Sequence, residues 1–330
     1  MISIGINGFG RIGRLILKAV INDSEIRIAG INDLTDTKTI AHLLRYDSVH
    51  GPFQGSIEPR ENSLVINGKE IMVSKEKDPE KLPWKSLGVD VVAECTGLFT
   101  KKSDALKHVK AGAKKVIISA PAKDGEPVKT IVKGVNEHTY SGEEVISNAS
   151  CTTNCFAPMA KVINDNYGII DGVMTTVHGY TGDQMLLDAP HKDLRRARAA
   201  ALNIVPTSTG AAKAIGEVIP ELSGKMIGSA IRVPVADGSL CYFVAEVKRQ
   251  VSAQEVNELF RNVANYHMKG ILEFSNESLV STDIIGNPHS CIFDSLLTRC
   301  IGNNIVTVGW YDNEWGYSNR MVDLIKIISK

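Results

Sequence analysis

The chain begins with MISIGINGFGRIG, residues 1–13, in which a short apolar run leads into a glycine-rich motif. Residues 1–6 predict a strand, residues 8–13 fit G-x-G-x-x-G, and residues 14–21 predict a helix. Gly8, Gly10 and Gly13 would let the backbone approach the pyrophosphate of a dinucleotide, which then rests on the helix N-terminus. The stretch therefore predicts a dinucleotide-binding fold.

A second apolar strand, predicted at residues 26–31, ends at Asn32-Asp33, about 20 residues after the motif. Asp33 would accept hydrogen bonds from the adenosine ribose, and its charge would repel a 2′-phosphate. The cofactor predicted from these residues is therefore NAD rather than NADP. The alternative is a tight strand–helix turn followed by a solvated acid.

Strands and helices go on alternating through the first half of the chain. Helices are predicted at 37–45 and 101–111 and strands at 89–94 and 115–119, while Asn67-Gly68 indicates a hairpin beside the sheet. This alternation is typical of a doubly wound, mainly parallel sheet. Ligands bind at the carboxyl ends of such strands, where Gly8, Asp33, Thr96 and Ser119 lie.

The second half has a different pattern. Residues 169–180, 225–234, 239–248 and 304–311 predict strands of a larger, mainly antiparallel sheet, and residues 253–266 and 321–328 predict helices. Residues 181–209 lack a regular pattern, and a loop of this length in a compact domain is usually functional. A chain of 330 residues is long enough for two domains. We expect domains at 1–150 and 151–312, followed by a terminal segment at 313–330.

Composition excludes several classes of protein. Lys+Arg and Asp+Glu both number 37, which argues against a dedicated binder of nucleic acid or anionic membranes. The sequence has no signal-peptide pattern and no apolar run of membrane-spanning length. Its 6 cysteines are scattered without zinc-ligand spacing, so we expect no metal site and reduced thiols in a cytoplasmic protein.

The stretch SNASCTTNC, residues 147–155, is the strongest candidate for chemistry. It lies between an apolar strand and a predicted helix, so Cys151 would meet unpaired backbone N–H groups and the positive end of the helix dipole. Both should lower the pKa of the thiol. Ser150 and Thr152 add hydroxyls that can bind an anion or cap the helix. The alternative is a buried structural cysteine among ordinary capping residues.

A thiol nucleophile needs a base, and His178, at the end of a predicted strand, is the best of 8 histidines. A thiolate combined with a nicotinamide cofactor indicates aldehyde oxidation. The thiolate adds to the aldehyde, His178 takes the hydroxyl proton as hydride leaves, and the resulting thioester passes to an acceptor. A lone histidine is, however, more often structural than catalytic.

Several further residues can bind phosphate groups, and arginine can do so in bidentate fashion. They are Thr181, Arg196, Thr209, Gly210 and Arg232. The basic run at 191–198 has an equally good alternative interpretation as a solvated face or a subunit contact.

Over its whole length the sequence resembles the phosphorylating glyceraldehyde-3-phosphate dehydrogenase family. The resemblance rests on GINGFGRIGR at 5–14, SCTTNC at 150–155, PTSTGAAK at 206–213 and WYDNE at 310–314, in the family's order. It implies an α/β Rossmann doubly wound sheet, an α+β catalytic domain, a C-terminal helix returning to the cofactor domain, and a homotetramer. The implied reaction oxidises D-glyceraldehyde 3-phosphate with NAD and inorganic phosphate to 1,3-bisphosphoglycerate.

The resemblance also implies a role for individual residues. Cys151 matches the nucleophile and His178 the base. Positions for inorganic phosphate match Ser150, Thr152, Arg196, Thr209 and Gly210. Positions for the substrate's own phosphate match Thr181, Asp183 and Arg232. NAD contacts match Arg11, Ile12, Asp33, Lys77, Thr96, Ser119 and Asn313, with Asn313 on the nicotinamide amide.

Some positions depart from the family's usual pattern. Gly179 follows the histidine where serine is usual, and residues 235–238, VADG, replace a Thr-Pro run. Ala189 resembles members that use NADP, whereas Leu34 and Pro190 resemble members that use NAD, so some NADP use stays open.

Two alternatives to the implied activity remain. The nearest is erythrose-4-phosphate dehydrogenase, in which water releases the acyl group. The other is a catalytically idle NAD-binding scaffold, against which the presence of Cys151 and His178 argues.

Overall fold

A computed structural model describes residues 1–123 and 125–330. The chain forms two compact units. The first comprises Met1–Ile131, Glu137–Ala149 and Ser318–Lys330, and the second comprises Val132–Asn136 and Ser150–Tyr317. Each unit is built on its own β-sheet.

The first unit alternates strands with helices from its first residue. Its elements are β1 (Ile2–Asn7), α1 (Arg11–Val20), β2 (Ile26–Asn32), α2 (Thr37–Arg45), β3 (Ile57–Pro59), β4 (Ser63–Ile66), β5 (Lys69–Ser74), α3 (Trp84–Leu87), β6 (Val91–Glu94), α4 (Lys102–Lys110), β7 (Lys115–Ile118), β8 (Lys129–Thr130) and β9 (Val145–Ser147). Short 3-10 turns lie at Pro79–Lys81 and Glu137–Thr139.

The nine strands of this unit form one sheet in the order β3-β4-β5-β2-β1-β6-β7-β9-β8. From β5 to β8 every neighbouring pair is parallel, which confirms the predicted doubly wound sheet. The hairpin of β4 and β5 was expected beside this sheet. Instead β5 pairs in parallel with β2, so the hairpin extends the sheet.

The apolar residues of the first strands form the core of this unit. Ile4 and Ile6 of β1 and Val92 of β6 are fully buried. Trp84, at the start of α3, is also fully buried and packs in a cluster with Val92 and Val116. Both faces of these central strands are therefore covered, as expected for near-continuous apolar strands.

The second unit consists of longer strands and longer helices. Its elements are α5 (Cys151–Tyr167), β10 (Ile169–Gly179), β11 (Val205–Ser208), α6 (Ala211–Val218), β12 (Met226–Val233), β13 (Ser239–Val247), α7 (Ala253–Asn265), β14 (Leu272–Ser275), β15 (Cys291–Asp294), β16 (Arg299–Ile301) and β17 (Asn304–Tyr311). Short 3-10 turns lie at Pro220–Leu222, Ser281–Ile284 and Ser295–Leu297. A final helix, α8 (Trp315–Ile328), follows β17.

The strands of the second unit form an eight-stranded sheet in the order β11-β12-β10-β13-β17-β15-β14, with β16 paired to β17. Most pairs are antiparallel, as predicted, but β10 pairs in parallel with β12 and β14 in parallel with β15. The patternless region at 181–209 contains one strand, β11, at the sheet edge. Pro206 obscures it in the sequence, since proline within a strand is tolerated mainly at an edge.

The helix predicted to begin at Cys151 does begin there, directly after the N-cap residue Ser150. Ser150 Oγ accepts a hydrogen bond from the backbone N–H of Thr153 at 3.1 Å. This bond satisfies one of the N–H groups that the first turn leaves without a helical partner. Across the described residues, no helix is long and apolar enough to cross a membrane.

Candidate active site

Cys151 and His178 are brought together in the second unit. Cys151 is the first residue of α5, and His178 is the last residue but one of β10. Cys151 Sγ lies 3.4 Å from His178 Nε2. The imidazole is almost completely buried, whereas Cys151 keeps part of its surface exposed. A partly accessible thiol beside a buried base is the arrangement that nucleophilic catalysis requires.

The other ring nitrogen determines how His178 can act. His178 Nδ1 lies 2.7 Å from the carbonyl oxygen of Gly179, which can only accept a hydrogen bond, and 3.0 Å from Arg232 Nη1, which can only donate one. Arg232 Nη1 donates to the same oxygen at 3.0 Å. Arg232 reaches it because residues 178 and 232 are register partners on β10 and β12. When Nδ1 donates its proton to Gly179, Nε2 is free to accept the proton of the thiol.

The protonation states differ from the expectation based on the helix dipole. Burial raises the pKa of Cys151 to about 11, although the Arg232 charge and hydrogen bonds from Thr152 act to lower it. Burial, assisted by Arg232, lowers the pKa of His178 to about 3. The expected fall in the thiol pKa is therefore wrong, because desolvation outweighs the helix terminus. Both groups rest neutral near pH 7, and His178 is ready to accept a proton.

Tyr311 is a site residue that the sequence analysis missed. Its hydroxyl lies 2.9 Å from Thr152 Oγ1 and 2.8 Å from Thr176 Oγ1, and its ring packs edge-on against the His178 imidazole. It thus connects the first turn of α5 to strand β10 beside the base. The one sequence signal for this role is a tyrosine hydroxyl at the end of an otherwise apolar strand, which needs a hydrogen-bond partner when it is buried.

Four of the predicted phosphate-binding residues, Thr181, Asp183, Arg196 and Arg232, form one connected network. Arg232 Nη1 donates to Thr181 Oγ1 at 3.1 Å, and the Thr181 hydroxyl donates to Asp183. Asp183 also forms an ion pair with Arg196. Two sets of residues that the sequence separates are therefore joined through Asp183. The pKa of Asp183 is lowered: burial raises it, but Thr181 and the two arginines outweigh burial.

Further residues complete this network. Arg196 Nε donates to Thr207 Oγ1 at 3.1 Å, and Thr207 Oγ1 donates to Asp193 at 2.6 Å, which the sequence analysis did not predict. Thr209 and Gly210 lie at the N-terminus of α6, where Thr209 Oγ1 accepts from the N–H of Ala211.

One donor of the network is left over for a ligand. Within the described residues, the buried Nε of Arg232 has no hydrogen-bond acceptor. A buried guanidinium N–H without a partner is costly. The residues therefore fit an anionic ligand.

Asn313 is held in place next to the base. Its Oδ1 accepts a hydrogen bond from Ser239 Oγ at 2.6 Å, and Ser239 Oγ accepts from the backbone N–H of Gly179 at 3.1 Å. Asn313 is 5% exposed, so its side-chain orientation is well defined by these contacts. Ser239 was not predicted, because its role depends on pairing between strands.

Gly179 and the segment 235–238, which both differ from the family's usual pattern, lie against each other. A Cβ atom at Gly179 would lie 2.9 Å from the carbonyl oxygen of Val235, and the N–H of Tyr180 donates to that same oxygen. A side chain at position 179 would therefore collide with the backbone of residues 235–237. The glycine and the altered segment are explained together by this close approach.

The first unit contains a cleft of about 520 Å³ at the carboxyl ends of β1, β2 and β6. It is lined by Asn7, Gly8, Gly10, Asn32, Asp33, Leu34, Glu76, Lys77, Cys95, Thr96, Leu98 and Phe99. Gly8 has φ of +88°, and a Cβ there would lie 2.7 Å from the N atom of Thr96. A Cβ at Gly13 would lie 2.2 Å from the carbonyl oxygen of Gly8. At Gly10 nothing lies within 4 Å, which leaves room for a ligand to reach the backbone.

Asp33 is positioned as the sequence predicted. Its two carboxylate oxygens accept backbone N–H groups from Phe9 at 2.8 Å and Thr35 at 2.9 Å. Each oxygen has a lone pair left for a ribose hydroxyl. The cleft, its open glycine and this acid therefore fit a dinucleotide with an unmodified ribose.

Of the other predicted cofactor residues, Thr96 and the exposed Lys77 line the cleft. Arg11 and the half-buried Ile12 open α1, and the Arg11 guanidinium pairs with Asp47 at 2.9 Å. Ser119 follows β7, and its N–H donates to the carbonyl oxygen of Glu94.

Comparisons with known proteins agree with this geometry. Two family models match the chain: "Glyceraldehyde 3-phosphate dehydrogenase, NAD binding domain" over residues 2–102 and "Glyceraldehyde 3-phosphate dehydrogenase, C-terminal domain" over residues 150–313. Glyceraldehyde-3-phosphate dehydrogenase 1 of Bacillus cereus is 56% identical over 327 residues, which is 98% of this chain and 97% of that protein. Glyceraldehyde-3-phosphate dehydrogenase 1 of Bacillus subtilis is 55% identical over 332 residues, covering 100% of this chain and 98% of that protein. A glyceraldehyde-3-phosphate dehydrogenase of Streptomyces coelicolor is 55% identical over 98% of this chain. The chain belongs to the glyceraldehyde-3-phosphate dehydrogenase family.

Proposed function

We propose that the protein is a phosphorylating, NAD-dependent glyceraldehyde-3-phosphate dehydrogenase. It oxidises D-glyceraldehyde 3-phosphate with inorganic phosphate to 1,3-bisphosphoglycerate. The observation that carries this proposal is the 3.4 Å contact between Cys151 Sγ and His178 Nε2, in a site that also holds Arg196 and Arg232. A nucleophile, a base and two arginines match the needs of a phosphorylated aldehyde substrate and a phosphate acceptor.

The reaction begins with the neutral pair described above. As Cys151 Sγ attacks the aldehyde carbon, its proton passes to His178 Nε2 and from there to the carbonyl oxygen, so a thiohemiacetal forms, His178 is neutral again, and no thiolate is required beforehand. NAD, when bound, accepts the hydride that leaves the substrate carbon. His178 takes the proton of the substrate hydroxyl in that step, and the thioester on Cys151 remains. Inorganic phosphate then attacks the thioester carbonyl and Cys151 leaves.

The anion-binding residues divide between two phosphates in this proposal. Thr181, Asp183 and Arg232 hold the substrate's own phosphate, supported by the partnerless Arg232 Nε. Inorganic phosphate is bound by Ser150, Thr152, Arg196, Thr209 and Gly210. Asp183, which bonds to Thr181 and Arg196, orients both sets.

For the cofactor, we assign the cleft of the first unit to the adenosine and pyrophosphate of NAD. The contacts are made by Gly8, Gly10, Arg11, Ile12, Gly13, Asp33, Lys77, Thr96 and Ser119. Asn313 binds the nicotinamide amide, an assignment supported by its fixed orientation on Ser239. The Asp33 carboxylate favours NAD over NADP because a 2′-phosphate would be repelled.

At the level of the whole protein, residues 1–150 form the NAD-binding domain, residues 151–312 the catalytic domain, and residues 313–330 a helix that returns to the first. The protein acts as a homotetramer in the cytoplasm. The apolar residues exposed on the second sheet support the assembly.

The test is NADH formation from glyceraldehyde 3-phosphate and NAD, with and without inorganic phosphate. We expect a rate that depends strongly on phosphate and is abolished by Cys151→Ser. A rate indifferent to phosphate would mean that water releases the acyl group, and erythrose 4-phosphate would then be the substrate to try. Full activity of the Cys151→Ser variant would remove the cysteine as nucleophile, and no activity in the unmodified protein would favour a scaffold.

A further inference from the structure

Four polar side chains form a row at the carboxyl ends of neighbouring parallel strands in the first unit. Ser74, Asn32, Asn7 and Glu94 are consecutive register partners on β5, β2, β1 and β6. Ser74 Oγ donates to Asn32 Oδ1 at 3.0 Å, Asn32 Nδ2 to Asn7 Oδ1 at 2.7 Å, and Asn7 Nδ2 to Glu94 Oε2 at 2.5 Å. We call this row the polar ladder.

The ladder ends on a buried histidine and tryptophan. His108 Nε2 lies 3.0 Å from Glu94 Oε2, and Trp84 Nε1 donates to His108 Nδ1 at 3.0 Å. Because the indole N–H only donates, His108 Nδ1 must accept, so the imidazole proton is on Nε2 and points at Glu94. Glu94, His108 and Trp84 are each at most 1% exposed.

Glu94 has every lone-pair direction occupied. Oε2 accepts from Asn7 and His108, while Oε1 accepts from both the N–H and the hydroxyl of Thr96. Four donors from three residues surround one carboxylate. An amide in its place would turn one acceptor into a donor and set it against at least one of these donors.

The residues next to the ladder are those assigned to the cofactor. Gly8 follows Asn7, Asp33 follows Asn32, and Thr96 is bonded directly to Glu94. Asn32 also fixes a second segment that lines the cleft. Its side chain donates to the carbonyl oxygen of Glu76 and accepts from the N–H of Glu76, the residue before Lys77. Asn7, Asn32 and Thr96 themselves line the cleft.

We propose that Glu94 is a positioning residue for the cofactor, which through the polar ladder and Thr96 holds the cleft in its NAD-binding shape. The inference rests on the assignment of this cleft to NAD under the proposed function. Its role differs from packing alone, since the ladder joins the ends of four strands at the one edge where the cofactor is bound.

The test is the NAD dissociation constant of folded Glu94→Gln protein, measured by titration without substrate, together with KM for NAD and kcat. Glutamine sets an N–H group against at least one of the four donors that Glu94 accepts from, so we expect the dissociation constant and KM to rise at least about tenfold. We expect kcat at saturating NAD to stay within about twofold, because Glu94 has no place in the chemical steps.

The chain offers a matched control for the loss of a buried carboxylate. Asp294, in the second unit, is 3% exposed and accepts a hydrogen bond from Trp310 Nε1 at 3.0 Å. Asp294→Asn should lower stability but leave NAD affinity unchanged. If Glu94→Gln does not fold, the pair His108→Gln and His108→Leu replaces it. Glutamine offers one donor and one acceptor and should retain affinity, whereas leucine should lose it.

Failure of this inference can be separated from failure of the proposed function by Asp33→Ala. If Asp33→Ala leaves NAD binding unchanged, the cleft is not the NAD site, and both the assignment of the cleft to NAD and the proposed role of Glu94 are overturned. If Asp33→Ala weakens NAD while Glu94→Gln binds it as tightly as the unmodified protein, the polar ladder has only a structural role and this inference is overturned.

Discussion

At the scale of single residues, the pair of Cys151 and His178 depends on contacts that come from other strands. The two lie 27 positions apart in the chain, yet their reactive atoms are 3.4 Å apart. Gly179 and Arg232 both contact Nδ1 of His178, and burial keeps both reactive groups neutral at rest. The protonation state of His178 therefore depends on its burial and its neighbours and could not be inferred from the presence of a histidine alone.

We predict that His178→Asn lowers kcat by roughly 10²- to 10⁴-fold, because a positioned base contributes about that much to a proton transfer. The dissociation constant for NAD should stay unchanged, since His178 lies outside the cleft of the first unit. Steady-state kinetics and an NAD titration check this. An unaltered kcat would remove His178 as the base.

At the scale of elements, the end of β10 and the segment 235–238 are matched to each other. The backbone of Val235 approaches position 179 so closely that only glycine fits there. The usual serine of the family is therefore incompatible with this chain's own segment, although neither departure has a meaning when read alone in the sequence.

We predict that Gly179→Ala lowers the free energy of unfolding by about 1–3 kcal/mol, the range typical of overpacking. The new Cβ would lie 2.9 Å from a backbone oxygen, which cannot move aside as a flexible side chain can. Urea unfolding of the two proteins measures the difference. Gly182→Ala is the control, because nothing lies within 4 Å of a Cβ there, and equal stability of all three would contradict the prediction.

Asp47, in the segment after α2, connects that segment to the helix α1 by ion pairs. This carboxylate is buried and accepts from Arg11 at 2.9 Å and Lys18 at 3.2 Å, both on α1. Burial acts to raise its pKa, but backbone N–H groups of His50 and Val49 and the Arg11 guanidinium hold it well below 3.8.

We predict that Asp47→Asn lowers the free energy of unfolding at pH 7 by about 2 kcal/mol, the typical value for hydrogen bonds to a charged group. A depressed folded-state pKa contributes stability above the unfolded value of 3.8 and loses it as the pH falls below that value. The difference between the two proteins should therefore shrink near pH 3 in urea unfolding. Glu58→Gln, in an exposed pair with Arg60, should have little effect at either pH. A difference that is constant with pH would argue against the ion pair.

At the scale of the whole molecule, one face of the second sheet exposes several large apolar side chains in the single chain. Val173 and Ile227 are register partners on β10 and β12 and are 45% and 68% exposed, and Tyr242 on β13 is 45% exposed. Such a surface is typical of a contact between subunits.

We predict a mass in light scattering of about four times the 35.8 kDa of the chain. Ile227→Asp should dissociate the assembly, because a charge would be buried without a partner. Tyr266→Asp, at another exposed aromatic residue, is the control and should leave the mass unchanged. A monomeric unmodified protein would refute the tetramer.

Local patterns in the sequence were enough to predict most elements. The glycine motif, the strand periodicity and the N-cap at Ser150 act over a few residues. The strand β1 and the start of α5 lie within one residue of their predicted positions, whereas α1 begins at Arg11, three residues before the predicted start. The edge strand β11 and the placement of the hairpin β4–β5 within the sheet were not predicted, because strand pairing is decided by distant partners.

What the sequence by itself determined is the family and most of the strands and helices, and it singled out Cys151, His178 and Asp33 as candidates for the nucleophile, its base and the ribose-binding acid. What only the tertiary structure decided is the surroundings of these groups. Desolvation reverses the expected pKa of Cys151, Arg232 and Gly179 both contact Nδ1 of His178, and Tyr311, Ser239 and Glu94 form hydrogen bonds to side chains on neighbouring elements. The reason is physical: local backbone preferences are read along the chain, whereas burial and cross-strand hydrogen bonds exist only once residues distant in sequence have come together.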